Sequence, residues 1–549
     1  MAPTITDEHS LWWLFSLTAI VALDDISGKI PCYLVTFALG LILCFGLLTW
    51  AFTPPGGPAW TNGRNRMGRV SILGPRGLPI FGNLFTLSRG LAHRTLACMA
   101  QTRASHKRLM ALSLGSTPLV VTSDPEIARE ILTSPHFADR PIKQSAKQLM
   151  FSRAIGFAPS GAYWRLLRKI AASHLFAPKR ILAHEQARML ECASMINAIF
   201  TEQALHGVVS LRKHLQGASL NNIMGSVFGK IYDLKHENMN DETKELDELV
   251  KEGFELLGAF NWSDHLTWLK HVYDPCRIVD RCSMLVPRVQ MLVRKIIDEH
   301  RERRTNQNDS SEKSDFVDVL LSLDGEEKLA EDDMIAVLWE MIFRGTDTIA
   351  LTIEWIVAEL ILNPTIQTKL QSEIDKAVAN GATQSTISKL PYLQAVVKEA
   401  LRLHPPGPLL SWARLSTTDV HLANGMVVPK GTTTMVNMWS ITHDSTLWDE
   451  PFLFKPERFI ESEGGIDVDI RGSDLRLAPF GAGRRVCPGK DLALTTVSQW
   501  VAKLVHNFKW IEHESNPIDL SEVLKLSCEM KYPVSAVAVP RKCFSAKVY

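Results

Sequence analysis

The residues best suited to chemistry lie in Phe480-Gly-Ala-Gly-Arg-Arg-Val-Cys-Pro-Gly489. Cys487 is followed by Pro488 and Gly489, and then by a helical pattern from Asp491 to about Val505. A thiolate there sits at a helix N-terminus, where unpaired N–H groups and the positive dipole end favour an anion. Hydrogen bonds from those N–H groups would also set how strongly the sulfur donates to a metal such as haem iron. Gly481, Gly483 and Gly489 allow the backbone to turn against a flat macrocycle, and Arg485 is within reach of a carboxylate on its rim. The competing reading of the cysteine alone is a buried structural thiol beside a glycine turn.

Two further clusters have to be positioned with it. Glu331 to Leu362 reads as one helix, opened by Glu331, Asp332 and Asp333 and closed by Asn363-Pro364. At its centre lies Phe343-Arg-Gly-Thr-Asp-Thr348. Gly345 weakens the helix there, and the Thr348 hydroxyl can compete for a carbonyl one turn earlier, opening a groove. Asp347 and Thr348 are then an acid–alcohol pair able to relay protons. In isolation they also fit an ordinary helix face. Arg344, one turn before Thr348, is a candidate anchor for an anionic substrate. Its alternative partner is Glu340 at i−4. Glu399 and Arg402 share a helix face at i, i+3, ahead of His404-Pro-Pro406. Such a pair is by itself a weak signal.

The whole chain narrows the class. Its 549 residues carry 60 basic and 59 acidic side chains, which excludes a dominant basic surface for nucleic acid. Nine dispersed cysteines without Cys-x-x-Cys spacing read as reduced thiols, not as a disulfide framework or a zinc site. Residues 31 to 52 are uncharged, enough for a transmembrane helix. Arg64, Arg66, Arg69 and Arg76 follow, against Lys29 before it, which places the C-terminal part on the cytosolic side. Asp7 and Glu8 disfavour a removable signal peptide, and whether Leu11–Leu23 also enters the bilayer stays open. The organisation expected is an anchor region at 1–53, a Pro/Gly-rich linker and hinge at 54–83, and one catalytic domain at 84–549. That domain is mostly α with minor β, with strands expected at Leu109–Leu114, Pro118–Thr122 and Thr432–Asn437 and a charged loop from Arg301 to Lys313.

The Cys487 run fits Phe-x-x-Gly-x-Arg-x-Cys-x-Gly, and the chain resembles the cytochrome P450 superfamily, of microsomal type. The central helix departs from the family's usual pattern, with Arg344 at a position that is normally small and Ile349 in place of a hydroxyl residue, while the Asp-Thr pair is intact. Phe157-Ala-Pro-Ser-Gly-Ala-Tyr-Trp164, Phe343–Thr348 and Ser473-Asp-Leu-Arg-Leu-Ala-Pro-Phe480 are similar to the plant A-type group associated with organ and seed growth. The resemblance implies haem b with Cys487 as its axial thiolate, within a loop that includes Phe480, Arg485 and Gly489. It gives Trp164, Arg168 and Arg414 as propionate ligands, and Arg458, in Phe454-Lys-Pro-Glu-Arg-Phe459, as the third member of an ion cluster with Glu399 and Arg402. It implies a monooxygenase of the endoplasmic reticulum membrane, inserting one oxygen atom from O2 into a small lipophilic, fatty-acid-like substrate.

Without a Gly-x-Gly-x-x-Gly strand–helix setting, the chain should not bind nicotinamide itself, so NADPH would act through a membrane-bound cytochrome P450 reductase. Arg165, Arg168, Lys169, Arg484 and Lys490 are candidates for its docking face. Two other functions remain open: a reductase-independent peroxide isomerase or dehydratase on the same fold, and a non-catalytic haem sensor.

Overall fold

In the computed structural model the chain is described over residues 32–60, 72–88, 90–102, 107–232, 241–271, 273–306, 315–410 and 413–541. It divides into two units, 1–54 and 55–549. In the first, Cys32–Phe52 is a helix of 21 residues without a charged side chain. Phe37, Ile42, Phe45 and Leu48 all stand exposed on it, so among the described residues this apolar surface is uncovered. Among the described residues no single helix is long and apolar enough to count as a membrane span; Val35–Leu48 is a shorter apolar helical stretch. Leu11–Leu23, Arg64, Arg66 and Arg69 lie outside the described residues.

The second unit is built around the helix Glu331–Leu362, whose ends match the sequence reading. Its first half, from Met334 to Phe343, packs into one apolar cluster with Phe228 and Phe316. Its second half, from Ile349 to Ile361, packs into another with Trp500 and Trp510. Arg344 to Thr348 falls between the two. The helix is therefore held in apolar core on both sides of its polar centre, and the stretch around that centre faces a cavity.

The expected strands form at Met110–Leu114, Thr117–Thr122 and Thr433–Val436. The first two are antiparallel, in register from Met110 opposite Val121 to Leu114 opposite Thr117. Thr117–Thr122 also pairs in parallel with Thr433–Val436, whose other edge takes the short strand Arg414–Leu415. This sheet brings Arg414 to the domain interior. Part of the Pro/Gly segment before it lies against the same sheet, with Ala111 N–H donating to Leu73 O and Asn83 N–H to Ser113 O. A Cβ on Gly74 would stand 1.7 Å from the Ala111 carbonyl oxygen, so only glycine fits that approach.

One element differs from expectation. The helix Ile278–Asn306 continues through Arg301–Asn306, where a polar loop was expected. Arg301 reaches Asp298 one turn back at 2.8 Å and Glu331 of the long helix at 2.9 Å, and these pairs hold the charged run helical.

Candidate functional site

The loop Phe480–Gly489 ends in the helix Lys490–Asn507, with Gly489 at its N-cap. Gly483 has φ +66°, and a Cβ there would stand 2.1 Å from the Leu132 carbonyl oxygen. Gly481, at φ +69°, faces open space. These two positions turn the loop so that Cys487 N–H donates to Phe480 O at 2.9 Å. Burial raises the Cys487 thiol pKa, and the Gly489 N–H together with Arg344 and Arg168 opposes that rise. A buried thiol met by a helix N-terminus and cations is suited to release its proton to a metal.

Cys487, Pro488, Phe480 and Gly481 line one cavity together with Gly345, Thr348, Ile349 and Thr352 of the long helix. The cysteine loop and the polar centre of the helix thus form two walls of one chamber. Cys528 does not line it. That sulfur lies 3.4 Å from Glu522 Oε2, and burial, followed by the Glu522 charge, pushes its thiol pKa up. Burial alone would raise Glu522, but His93 and Arg94 hold it down to about 2, so the carboxylate near Cys528 already has side-chain partners.

The acid–alcohol pair is split across the helix. Thr348 lines the cavity, whereas Asp347 turns toward Ser527 and Glu529. Successive helical residues point about 100° apart, so neighbours in sequence serve different surfaces. Burial raises the Asp347 carboxyl to about 6; Glu529 adds to the rise, while Ser527, Arg212 and Lys525 oppose it. The hydroxyls that bond back to carbonyls are Thr346, to Ile342 O at 2.6 Å, and Thr352, to Thr348 O at 2.7 Å. Thr348 makes no such bond among the described residues. The helix runs unbroken past Gly345, where a Cβ would meet Ile223 Cδ1 at 2.2 Å. Gly345 is thus a packing notch for Ile223 as well as cavity wall.

Trp164, Arg168, Arg414 and Arg485 all line the same cavity. Trp164 Nε1–H donates to Ile155 O at 3.1 Å, so its N–H is used by backbone and not held out as a donor. Arg485 stacks on the Trp164 ring at 4.0 Å and donates to the carbonyls of Ala138, Ile155 and Ala158. Arg168 donates to Val486 O at 2.8 Å, and Arg414 to Ala482 O at 3.3 Å. Burial lowers Arg414 to about 9, with Arg485 and Arg168 adding to the fall. Arg168, Arg414 and Arg485 line one cavity, Arg414 and Arg485 are buried, and none of the three is ion-paired with a carboxylate among the described residues, which fits the two carboxylates on a haem rim. The residues present fit the group.

The ion cluster is assembled as expected. Arg402 donates to both Glu399 oxygens at 2.7 and 2.9 Å, and Arg458 Nε to Glu399 Oε1 at 2.9 Å. Arg402 also holds the carbonyls of Thr442 and Pro451 at 2.7 Å, tying the helix Pro391–Leu403 to the segment leading to the cysteine loop. Arg344 reaches Glu340 at 3.4 Å, the alternative partner left open by the sequence. Arg140 is a cavity residue that sequence reasoning missed: no local spacing marks it, and only the tertiary fold brings it to Glu340 and the other arginines.

Comparison with known proteins agrees with this geometry. Residues 72–532 match the family model for cytochrome P450. The chain belongs to the cytochrome P450 superfamily and, within it, to the plant A-type 78A group. It is 62% identical over 540 residues to cytochrome P450 78A7 of Arabidopsis thaliana, covering 97% of this chain and 98% of that one. It is 58% identical to cytochrome P450 78A11 of Oryza sativa subsp. japonica, over 97% of both chains. A solved zebra fish cytochrome P450, described with abiraterone, superposes with a TM-score of 0.67 at 24% identity, covering 82% of this chain and 100% of that one. Enzymes of this family are monooxygenases that hold haem by a cysteine thiolate and take electrons from NADPH through a reductase.

Proposed function

We propose that the chain is a membrane-anchored monooxygenase of lipophilic substrates, with Cys487 as the axial ligand of its haem. The observation that carries this reading is the single chamber shared by Cys487 and Thr348 and flanked by Arg168, Arg414 and Arg485. Arg168, Arg414 and Arg485, with Trp164 stacked beneath Arg485, would hold the haem carboxylates, while Phe480 and Gly489 shape the loop around Cys487. The thiolate-ligated haem, when bound, supplies activation of O2 and insertion of one oxygen atom into a C–H bond.

In this reading Thr348 presents its Oγ1 to the chamber and hands on a proton there. Asp347, on the adjoining face, takes up protons beside Ser527 and Glu529 and reloads the hydroxyl when its side chain rotates. Glu399, Arg402 and Arg458 fix the segment that leads to the cysteine loop. The uncharged helix Cys32–Phe52 is the anchor, placing the catalytic unit on the cytosolic face of the endoplasmic reticulum, beside a membrane-bound reductase. Arg165 and Arg484, both exposed, belong to the docking surface for that reductase. A role in plant growth control rests on the group resemblance.

The test is reconstitution with NADPH–cytochrome P450 reductase and a lipophilic substrate panel. Oxygenated product that needs both NADPH and reductase is expected. Turnover of a hydroperoxide without either would indicate the isomerase reading, and ligand binding without product the sensor reading.

Two predictions arise from the split pair. Thr348→Ala should keep NADPH consumption but divert oxygen to hydrogen peroxide, lowering product per NADPH by about tenfold or more. Unchanged product per NADPH would remove Thr348 from the relay. The second concerns pH. Asp347 has its folded pKa raised from the ordinary 3.8 to about 6, so its contribution to stability is intact below the lower value and lost as pH rises through the upper one. Asp347→Asn should therefore gain in Tm relative to wild type as pH is raised across that window. In wild type, product per NADPH should fall above pH 6, and Asp347→Asn should flatten that profile.

A further inference from the structure

Away from the chamber, the fold gathers three metal-type donors that no spacing in the sequence announces. Strands Glu522–Leu524 and Cys528–Met530 pair as a hairpin, with Met530 opposite Glu522 and Cys528 opposite Leu524. Cys528 and Met530 are two residues apart and share a face, so Cys528 and Glu522 are diagonal neighbours on it. The helix Ala92–Gln101 brings His93 against them. His93 Nε2 lies 2.8 Å from Glu522 Oε1, and Cys528 Sγ lies 3.4 Å from Glu522 Oε2. One ligand atom from each residue falls within 4.8 Å of the other two, and all three side chains are buried.

We infer that His93, Glu522 and Cys528 form a binding site for a divalent zinc-type ion, separate from the haem chamber. Imidazole nitrogen, carboxylate oxygen and thiolate sulfur are the donors that zinc takes, at about 2.0 to 2.3 Å. Around a tetrahedral ion, such bond lengths set the donors roughly 3.3–3.6 Å apart. The Cys528–Glu522 separation already fits, and the His93–Glu522 contact opens slightly when the ion replaces its proton. The soft sulfur favours zinc over magnesium or calcium, which take oxygen. The backbone beneath the donors is fixed in advance. Cys528 N–H donates to Pro406 O at 2.9 Å, and the Asn437 side-chain amide donates to His93 O at 2.8 Å.

The opposing consideration is Arg94, which donates to Glu522 Oε1 and would repel a dication. Unlike the three donors, its side chain is 50% exposed, so it can swing into solvent without unpacking the core. Its departure opens a path to the carboxylate. Charge then favours the ion. A thiolate beside Glu522 is disfavoured by like charge, and a dication between the two removes that repulsion. Cys528 gives its proton to solvent on binding, and the ion, thiolate and carboxylate together add no net charge to the interior. Bound there, the ion would pin the hairpin to the helix. The same hairpin carries Ser527, the hydrogen-bond partner of Asp347.

The test uses haem-loaded full-length protein equilibrated with buffered zinc, desalted, and analysed for zinc retained per chain. Zinc-edge X-ray absorption, which does not see the haem iron, should show a sulfur neighbour at about 2.3 Å with nitrogen and oxygen at about 2.0 Å. Cys528→Ser should weaken zinc binding by about a hundredfold or more, and so should His93→Gln, which keeps a donor for Glu522. Arg94→Ala should strengthen it by about tenfold or more, because the competing cation is gone. A cluster that only braces the fold predicts no such gain. The inference is overturned if wild type retains no zinc, or if Cys528→Ser binds it as tightly, as it would were the ion held by the exposed Cys98 or Cys276. Retained zinc without a sulfur neighbour would also overturn it, placing the ion at a cluster such as His300, Asp315 and Asp318. Should a ligand variant fail to fold, the wild-type absorption spectrum and Arg94→Ala still decide.

Discussion

Glu399→Gln is expected to cost about 3–5 kcal/mol and to leave little haem-loaded protein. Glu399 and Arg402 have fully buried side chains, and Arg458 is 8% exposed. The carboxylate accepts from both guanidiniums and also from Lys455 N–H at 2.9 Å. Removing its charge strands two cations whose side chains are buried, and this outweighs the small change in shape. The carbonyls of Thr442, Pro451 and Leu453 around Arg402 would then lose their fixed donor. Because that segment precedes the cysteine loop, haem retention should fall along with Tm. Thermal unfolding and haem content of the purified variant check this. An unchanged Tm with full haem content would show that the cluster is not what holds the loop. Exposed pairs offer the contrast: Lys398–Asp467, with Asp467 largely exposed, should be worth under about 1 kcal/mol.

Cys487→Ala should abolish product formation, whereas Cys528→Ala should retain most of it. Cys528 is buried and Cys487 half-buried, both near polar groups, and burial alone does not mark a ligand. Position does. Cys487 lines the chamber at a helix N-terminus, while Cys528 sits beside Glu522, whose negative charge disfavours a thiolate. Activity and haem content measured side by side distinguish loss of ligand from loss of fold. Full activity in Cys487→Ala would overturn the assignment, as would complete loss in a folded Cys528→Ala.

Much of this was legible in the residues. The acidic opening and the Asn363-Pro364 close marked both ends of the long helix, because helix termini are specified locally by charge and by proline. The trio Glu399, Arg402 and Arg458 was legible through the family pattern, and the structure brings it together. Other features depend on neighbours distant in sequence. Asp347 and Thr348 read as one acting pair, yet Asp347 is hydrogen-bonded to Ser527, far along the chain, on a different face. Trp164 and Arg485 were expected to hold out their N–H groups, and the structure uses them on the carbonyls of residues 138–158. Loop carbonyls of that kind have no sequence signature. The same holds for Gly156, whose need for glycine arises only from the Glu340–Arg344 pair pressed against it.

The central claim, that Cys487 is the thiolate ligand of a haem in the chamber below Thr348, is tested most directly by the carbon monoxide spectrum of the reduced, freshly purified full-length protein. The strongly red-shifted Soret band of thiolate-ligated haem is expected in wild type and in Cys528→Ala, and its loss in Cys487→Ala. A band at the shorter wavelength of neutral-ligand haem in folded wild type, or a red-shifted band that survives in Cys487→Ala, would contradict it.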